Sequence, residues 1–387
     1  MKHFSHLNTA VQLLGLYKGR EPFGIFIKNF FSQHKKYGSK DRKQISQLCY
    51  SYFRLGKSLL DLPVEERVLT GLFLCTDKPH DLLEAMHPEW NAMIAASLEE
   101  KCQQLSIDPS SLTIFPWYEE ISEGIDVGLF NRSFLRQPDL FIRVRPGKKN
   151  IVIKKLEAAV AFNLISDSCI SLPNGTKIET ILTLNNEAVI QDRSSQEVGE
   201  LLSFVQPFFN ERTISVWDCC AASGGKSIMA KDLLEDIDLT VSDIRESILI
   251  NLRKRFNEAG INKYKNFVAD LSAGLPKNIQ PYDLIIADVP CTGSGTWERT
   301  PEQLFYFEKE KIEEYVVKQR HIVSTVIPAL KPGGFFLYIT CSVFKKENEA
   351  AIDFIKEKYA LQLIKAGIIK GYDEKADTMF AALLQKK

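Results

Sequence analysis

Between residues 1 and 112 the apolar positions recur at helical spacing: Val11, Leu13, Leu14 and Leu16, then Phe23, Ile25, Phe26, Phe30 and Phe31. The polar break Gly38-Ser39-Lys40-Asp41-Arg42 interrupts them. Ser39 is the expected N-cap of a further amphipathic run through Ile45, Leu48, Cys49, Tyr52 and Phe53. Residues 113–137, with Pro116 and Trp117, read as a connector. From Leu140 the texture changes to short strand-like stretches, over 141–145, 180–184 and 187–191, with a helix over 151–160. Residues 138–195 are therefore expected to form a small α/β subdomain. In the remaining stretch, 196–387, strands and helices alternate. Strands are expected over 215–219, 239–242, 267–269, 284–288 and 335–338, and helices over 225–234, 245–258, 303–330 and 347–358. That alternation predicts a doubly wound, Rossmann-like α/β domain with a parallel sheet. The predicted class is thus α/β, with a small α/β subdomain before the main domain and an all-α domain at the N-terminus.

Composition alters this picture little. The 387 residues are 45% hydrophobic and 25% charged, ordinary for a soluble globular protein. Basic and acidic residues balance at 49 each, so no global field draws in a polyanion and any nucleic-acid contact must use local patches. Eight cysteines, at 49, 75, 102, 169, 219, 220, 291 and 341, never form a Cys-x-x-Cys pair, which argues against a zinc ribbon or a disulfide framework. No metal is expected, and a reducing cytoplasm suits a working thiol. The sequence shows no signal peptide and no bilayer-spanning apolar run, so no membrane contact is expected. The chain is taken to be a monomer.

The chemistry concentrates where strands end. Val289-Pro290-Cys291-Thr292-Gly293 and Ile339-Thr340-Cys341-Ser342 each follow an apolar strand, and residues just past such strand ends line the ligand crevice of an open parallel sheet. Two thiols there suggest covalent chemistry beside a nucleotide-type cofactor. Upstream, Cys220-Ala221-Ala222-Ser223-Gly224-Gly225-Lys226 joins a strand to a helix. Small residues allow close backbone approach, and the helix start offers free N–H groups. The segment is only half of a phosphate-binding P-loop, because Cys220 stands where its first glycine would fall. Asp243, at the end of the next strand, suits a ribose diol, and Asp270, closing the third, could meet an adenine edge. A loop without phosphate grip plus two carboxylates fits S-adenosylmethionine better than a dinucleotide.

Here a family resemblance becomes specific. Asp218-Cys219-Cys220-Ala221-Ala222-Ser223-Gly224-Gly225-Lys226 resembles the Asp-x-Cys-Ala-Ala-Pro-Gly-Gly-Lys loop of the RsmB-like (Sun/Nop type) RNA cytosine-5 methyltransferases. Asp288-Val289-Pro290-Cys291-Thr292-Gly293-Ser294-Gly295 is similar to their Asp-Ala-Pro-Cys-Ser-Gly-Thr-Gly. Thr340-Cys341-Ser342 with Glu347-Asn348-Glu349 is similar to their Thr-Cys-Ser and Glu-Asn-Glu, and Gln191-Asp192-Arg193-Ser194-Ser195 to their Gln-Asp-x-x-Ser segment. Residues 377–384 resemble the family's closing strand, and the N-terminal stretch around residues 38–42 its NusB-like helical domain. Ser223 replaces the usual proline, and Val289 adds bulk over alanine.

The resemblance implies a class I methyltransferase domain over 196–387, a NusB-like RNA-binding domain over 1–112, and S-adenosylmethionine as cofactor, held by Cys220, Ala221, Ala222, Ser223, Gly224, Gly225, Lys226, Asp243, Asp270 and Asp288. It implies that Cys341 adds to carbon 6 of a cytosine, activating carbon 5 toward the methyl donor, and that Cys291 assists product release. A free thiol is only about 3% ionised at pH 7, costing about 2 kcal/mol, which Lys226 or a helix N-terminus could offset in part. Asp288 is the candidate to hydrogen-bond the N3/N4 edge of the ring; Lys226 either contacts the base or orders the loop. The substrate implied is an unpaired cytosine in RNA, by analogy ribosomal RNA. Candidate RNA contacts are Arg143, Arg145, Lys148, Lys149, Lys154 and Lys155, and in the helical domain Lys35, Lys36, Lys40, Arg42 and Lys43, with Phe141 and Trp297 as stacking surfaces. The alternative is a non-catalytic RNA-binding ribosome assembly factor that retains the fold; the intact Cys291, Cys341, Asp288 and Lys226 speak against it.

Overall fold

A computed structural model describes residues 2–209, 212–277 and 279–387. They fall into two compact units, one of Met1–Glu119, Asp126–Gln137 and Thr296–Lys309, the other of Glu120–Ile125, Pro138–Gly295 and Glu310–Lys387. This division departs from the expected one in two places. Most of the stretch read as a connector folds into the first unit. So do residues 296–309, which the strand–helix alternation had assigned to the Rossmann-like domain.

The first unit is helical, built mainly on Lys2–Leu16, Phe23–Gln33, Ser39–Arg54 and Val64–Cys75. Leu13, Phe23, Ile27, Ile45, Leu48, Phe53, Leu72 and Phe73 meet in its core, at the three- and four-residue spacings that put one face of each helix inward. Ser39 is the first helical residue and not the cap. Gly38 holds the cap position, and its N–H donates to Asp41 at 3.2 Å. The single helix expected over 303–330 is two, Pro301–Tyr306 in this unit and Lys311–Val326 in the other. Trp297 packs among Phe115, Trp117 and Phe307 and is 1% exposed, so it is a core residue here and no stacking surface.

The second unit carries two sheets. A small antiparallel one contains β1 (Leu140–Val144), β2 (Asn163–Leu164), β3 (Cys169–Leu172) and β4 (Ala188–Ile190), in the order β2-β3-β1-β4. The strand expected over 180–184 is absent; a 3₁₀ turn, Ile178–Thr180, runs into that stretch, and β3 is the partner that pairs with β1.

The large sheet contains β5 (Ile214–Asp218), β6 (Ile237–Asp243), β7 (Lys265–Val268), β8 (Tyr282–Asp288), β9 (Leu330–Thr340), β10 (Leu361–Ile369) and β11 (Met379–Lys386). Its order is β10-β11-β9-β8-β5-β6-β7, parallel from β9 to β7 and antiparallel at β10 and β11. Alternate residues serve opposite cores. Leu284, Ile286, Phe335, Leu337 and Ile339 pack on one face with helices Gly225–Leu234 and Glu246–Glu258; Ile285, Ala287, Phe336 and Tyr338 pack on the other with helices Lys311–Val326 and Glu349–Lys358. The chain runs outward from β5 through β6 and β7, then returns to place β8 on the other side of β5. The strand order therefore reverses between β5 and β8, where such sheets open a crevice beyond their carboxyl ends.

Candidate active site

Asp218 and Asp288 end the two strands that flank this switch point. After Asp218 the chain makes a tight loop into helix Gly225–Leu234. The Gly224 N–H donates to the Ala221 carbonyl at 2.8 Å, and Ala222 is forced to φ 45°. Gly224 itself sits at φ 84°, and a Cβ there would lie 2.6 Å from the Phe256 ring, so only glycine fits. The loop is drawn toward β6 by two main-chain donations, from Ala221 N–H to the Ser242 carbonyl and from Ala222 N–H to Asp243 Oδ2 at 3.0 Å. Asp243 takes the Arg245 N–H on its other oxygen, and each oxygen keeps a lone pair. The Ala269 N–H donates to the Asp243 carbonyl, which brings exposed Asp270, bonded to Ser272, beside this carboxylate.

Two observations mark the loop as a ligand cradle. Gly225, the first helical residue, has open space where a Cβ would stand. Asp218 is fully buried with Oδ2 accepting from the Ser227 hydroxyl at 2.6 Å, while Oδ1 has no partner among the described residues. Burial, partly opposed by that hydroxyl, pushes the Asp218 carboxyl up to about 7. Lys226 reaches across the crevice. Its Nζ lies 3.2 Å from Asp288 Oδ2 and donates to Ser195 Oγ at 2.7 Å. Asp288 keeps 30% of its side chain exposed, against 10% for Lys226. Cys219 is buried in the sheet's core, and Cys220 packs half-buried against the same cluster.

The two cysteines singled out by their motifs come together. Parallel pairing sets Asp288 opposite Ile339, so the turns after β8 and β9 run side by side. The Cys291 and Cys341 sulfurs are 3.3 Å apart, both half-buried. The bond to the Cys341 sulfur, then burial, then the nearby charges of Cys341 and Glu347 push the Cys291 thiol well above its ordinary range. At that distance either sulfur can donate to the other.

What sequence reasoning missed is the group that joins these turns. Glu347 is fully buried and accepts from the Thr292 N–H (2.9 Å), the Thr292 hydroxyl (2.6 Å), the Ser342 hydroxyl and the Gln319 amide (2.9 Å). Thr292 follows Cys291 and Ser342 follows Cys341, so a single carboxylate fixes both turns. Asn348 adds a second tie, accepting from the Thr340 hydroxyl and donating to the Ser342 carbonyl. Burial raises the Glu347 carboxyl, against the four donors that lower it. The signal was present in the Glu-Asn-Glu motif, but nothing in its spacing points it at both cysteines. Gly295 completes the frame, donating to the Cys341 carbonyl at 2.9 Å and accepting from Thr378 N–H at 2.7 Å.

The expected RNA contacts separate into two sets. Arg143 and Arg145 are consumed internally. Both pair with Asp232, at 2.7 and 2.6 Å, with 7% and 13% of their side chains exposed. Arg143 also donates to Gln191, whose amide donates to Ser195, the hydroxyl that receives Lys226. These arginines thus face helix Gly225–Leu234 and support the site from behind. Phe141 is buried as well, against Cys169 and Ala376. Lys148 and Lys149 are part-exposed and Lys154 is exposed, while Lys155 pairs with Glu187. In the helical unit Lys35, Lys36, Lys40 and Lys43 are exposed, and Arg42 is part-buried over the Phe31 ring.

Residues 205–383 match the family model described as 16S rRNA methyltransferase RsmB/F. A protein named probable ribosomal RNA small subunit methyltransferase B from Synechocystis is 29% identical over 230 residues, 57% of this chain and 50% of its own. A ribosomal RNA small subunit methyltransferase B from Xylella fastidiosa is 26% identical over 277 residues, 68% of this chain and 61% of its own. The chain thus spans about half the length of the curated relatives it matches. The crystal structure of PH0851 superposes over the whole chain and 98% of its own with a TM-score of 0.70 at 20% identity, a likeness of fold. Among the described residues no helix is long and apolar enough to cross a membrane. Over residues 205–383 the chain is thus similar to the RsmB/F methyltransferases.

Proposed function

We propose that this protein transfers a methyl group from S-adenosylmethionine to carbon 5 of an unpaired cytosine in ribosomal RNA, through a transient bond between Cys341 and the base. The observation that carries this reading is the pair of sulfurs 3.3 Å apart beside the Lys226–Asp288 ion pair, at the switch point of the sheet. The cofactor would be held by the main chain of 220–225 with Asp218, Asp243 and Asp270. When bound it supplies an electrophilic methyl on a positively charged sulfur.

Carbon 5 of cytosine is a weak nucleophile. Addition of the Cys341 thiolate to carbon 6 forms a C–S bond and moves the ring's electron pair toward carbon 5, which can then take the methyl group. Asp288, the open carboxylate of the pair, is suited to accept from the N4 amino group as that charge develops, and Lys226 keeps it oriented. After transfer, carbon 5 bears both a proton and the methyl group. Transfer of that proton to a base, water or the Cys291 sulfur as thiolate, returns the electron pair to the ring as the C–S bond breaks and Cys341 leaves as thiolate. Cys291, held against Cys341, is placed to assist this release. Part-exposed Lys148, Lys149 (paired with Asp167) and exposed Lys154, with exposed Lys35, Lys36, Lys40 and Lys43, remain the proposed phosphate contacts.

Incubation of the protein with labelled S-adenosylmethionine and undermodified small-subunit ribosomal RNA tests the reading. Cys341→Ala is expected to abolish labelling. Cys291→Ala is expected to accumulate an RNA–protein adduct that survives denaturation. Free, fully methylated RNA released by Cys291→Ala at the normal rate would refute the assigned roles; no methyl transfer by the unaltered protein would favour the assembly-factor alternative.

A further inference from the structure

Ser223 stands in the cofactor loop where the resembled family has proline, and nothing in its own backbone fixes it. Its N–H makes no bond among the described residues, and it follows Ala222, whose φ of 45° is costly for a residue with a Cβ. A strained loop persists only when its surroundings over-determine it. The surroundings act here through one guanidinium. Arg255, in the last turn of helix Glu246–Glu258, donates from one nitrogen to the Ser223 carbonyl at 2.9 Å and to the Ser223 hydroxyl at 2.7 Å. Its Nε donates to the Asn185 side-chain oxygen at 3.0 Å.

Asn185 is itself anchored. Its amide donates to Glu258 at 2.7 Å, and its carbonyl accepts from Arg145 at 2.9 Å. Arg145 is held in turn by Asp232. The loop is therefore braced from outside by a chain of paired groups that begins in helix Gly225–Leu234 and passes through the small subdomain. A planar fork with several donors suits this bracing better than a lysine would, because its direction is set by two partners at once.

We propose that Arg255 is a positioning residue for the cofactor, supplying by hydrogen bonding to Ser223 the loop rigidity that a proline ring would supply covalently. The proposal rests on the reading of 220–225 as the S-adenosylmethionine loop. It explains how this chain tolerates serine there: a proline restricts the chain before binding, and the arginine restricts it within the fold. Ser223 is not among the positive-φ residues and its N–H makes no bond among the described residues, so a proline there would break no hydrogen bond.

Calorimetric titration with S-adenosylhomocysteine, which needs neither RNA nor turnover, tests this directly. Arg255→Met keeps the aliphatic stem and removes the donors; it is expected to weaken binding about ten-fold and raise KM for the methyl donor equally, with kcat at saturation changed less than two-fold. Ser223→Ala, which removes one of the two bonds, is expected to lose about three-fold. Adding Ser223→Pro to Arg255→Met is expected to recover most of the lost affinity, an outcome that general damage to the fold would not give. Unchanged binding by Arg255→Met, or a loss that proline does not recover, would overturn the proposal. If the unaltered protein binds no S-adenosylhomocysteine, the cofactor reading fails and this inference with it.

Discussion

At the residue scale the site is governed by two buried carboxyls in opposite situations. Asp218 has one hydroxyl donor and an oxygen with no partner among the described residues, and its carboxyl rises to about 7. An unfolded aspartate titrates near 4, so between about pH 4 and pH 7 the folded state binds the extra proton and stability falls as pH rises. Thermal midpoints at pH 5 and pH 8 should therefore converge in Asp218→Asn, which is neutral throughout; an unchanged difference would show that the titration lies elsewhere. Glu347 instead satisfies four donors. Glu347→Gln keeps the volume but turns an amide N–H₂ toward two of those donors, costing about 2 kcal/mol. We expect turnover to drop at least ten-fold with the donor's binding unchanged, measured by labelled methyl transfer and by calorimetry; equal loss of both would make Glu347 a general prop. Cys291, Cys341, Asp288 and Lys226 stand out in the sequence because each lies in a short motif at a strand or helix end, and the structure brings the two sulfurs together and pairs Lys226 with Asp288. Arg143 was misread for the converse reason: its burial depends on Asp232, 89 residues away.

At the element scale, what could be read was what alternates on two faces. β8 and β9 feed two cores with successive residues, so their apolar runs announce buried parallel strands. β10 could not be read that way. It is an antiparallel edge strand with residues such as Gln362 and Lys365 exposed, and its polarity resembles coil. β3 escaped because serine interrupts its four residues, although all four are buried. The closing strand β11 matters to the chemistry through its approach. Thr378, just before it, bonds Gly295, which in turn holds the Cys341 carbonyl. A Cβ on Gly295 would lie 1.9 Å from the Thr378 carbonyl oxygen, a main-chain atom that cannot swing away. Gly295→Ala should therefore cost about 2 kcal/mol or more, lowering the thermal midpoint by several degrees, and should disturb Cys341. Adduct formation with RNA slowed in proportion would support the coupling; a destabilised protein with normal adduct kinetics would deny it.

At the scale of the whole molecule, the helical unit is not a simple N-terminal appendage. It closes around Thr296–Lys309, a stretch that leaves the second unit directly after the Gly295 turn and returns before helix Lys311–Val326. Leu304 and Trp297 are almost wholly buried, and the Phe305 ring packs tilted against Tyr52 and edge-on against Phe53. No local pattern could have revealed this, since the apolar residues of 297–307 fit a helix in either unit equally well; only long-range packing assigns them. The consequence can be measured. A fragment of residues 138–387 retains this stretch but lacks the helices that cover it, so Trp297, Leu304 and Phe305 become an exposed apolar patch. That fragment should bind a hydrophobic dye and self-associate, whereas the same fragment with 297–307 replaced by a short Gly/Ser linker should remain monomeric by light scattering and still bind S-adenosylhomocysteine. Equal behaviour of the two fragments would mean that the stretch folds independently of the helical unit. The linker fragment also separates roles: its affinity for the cofactor tests the second unit alone, and any loss of RNA affinity measures what the helical unit's exposed lysines contribute.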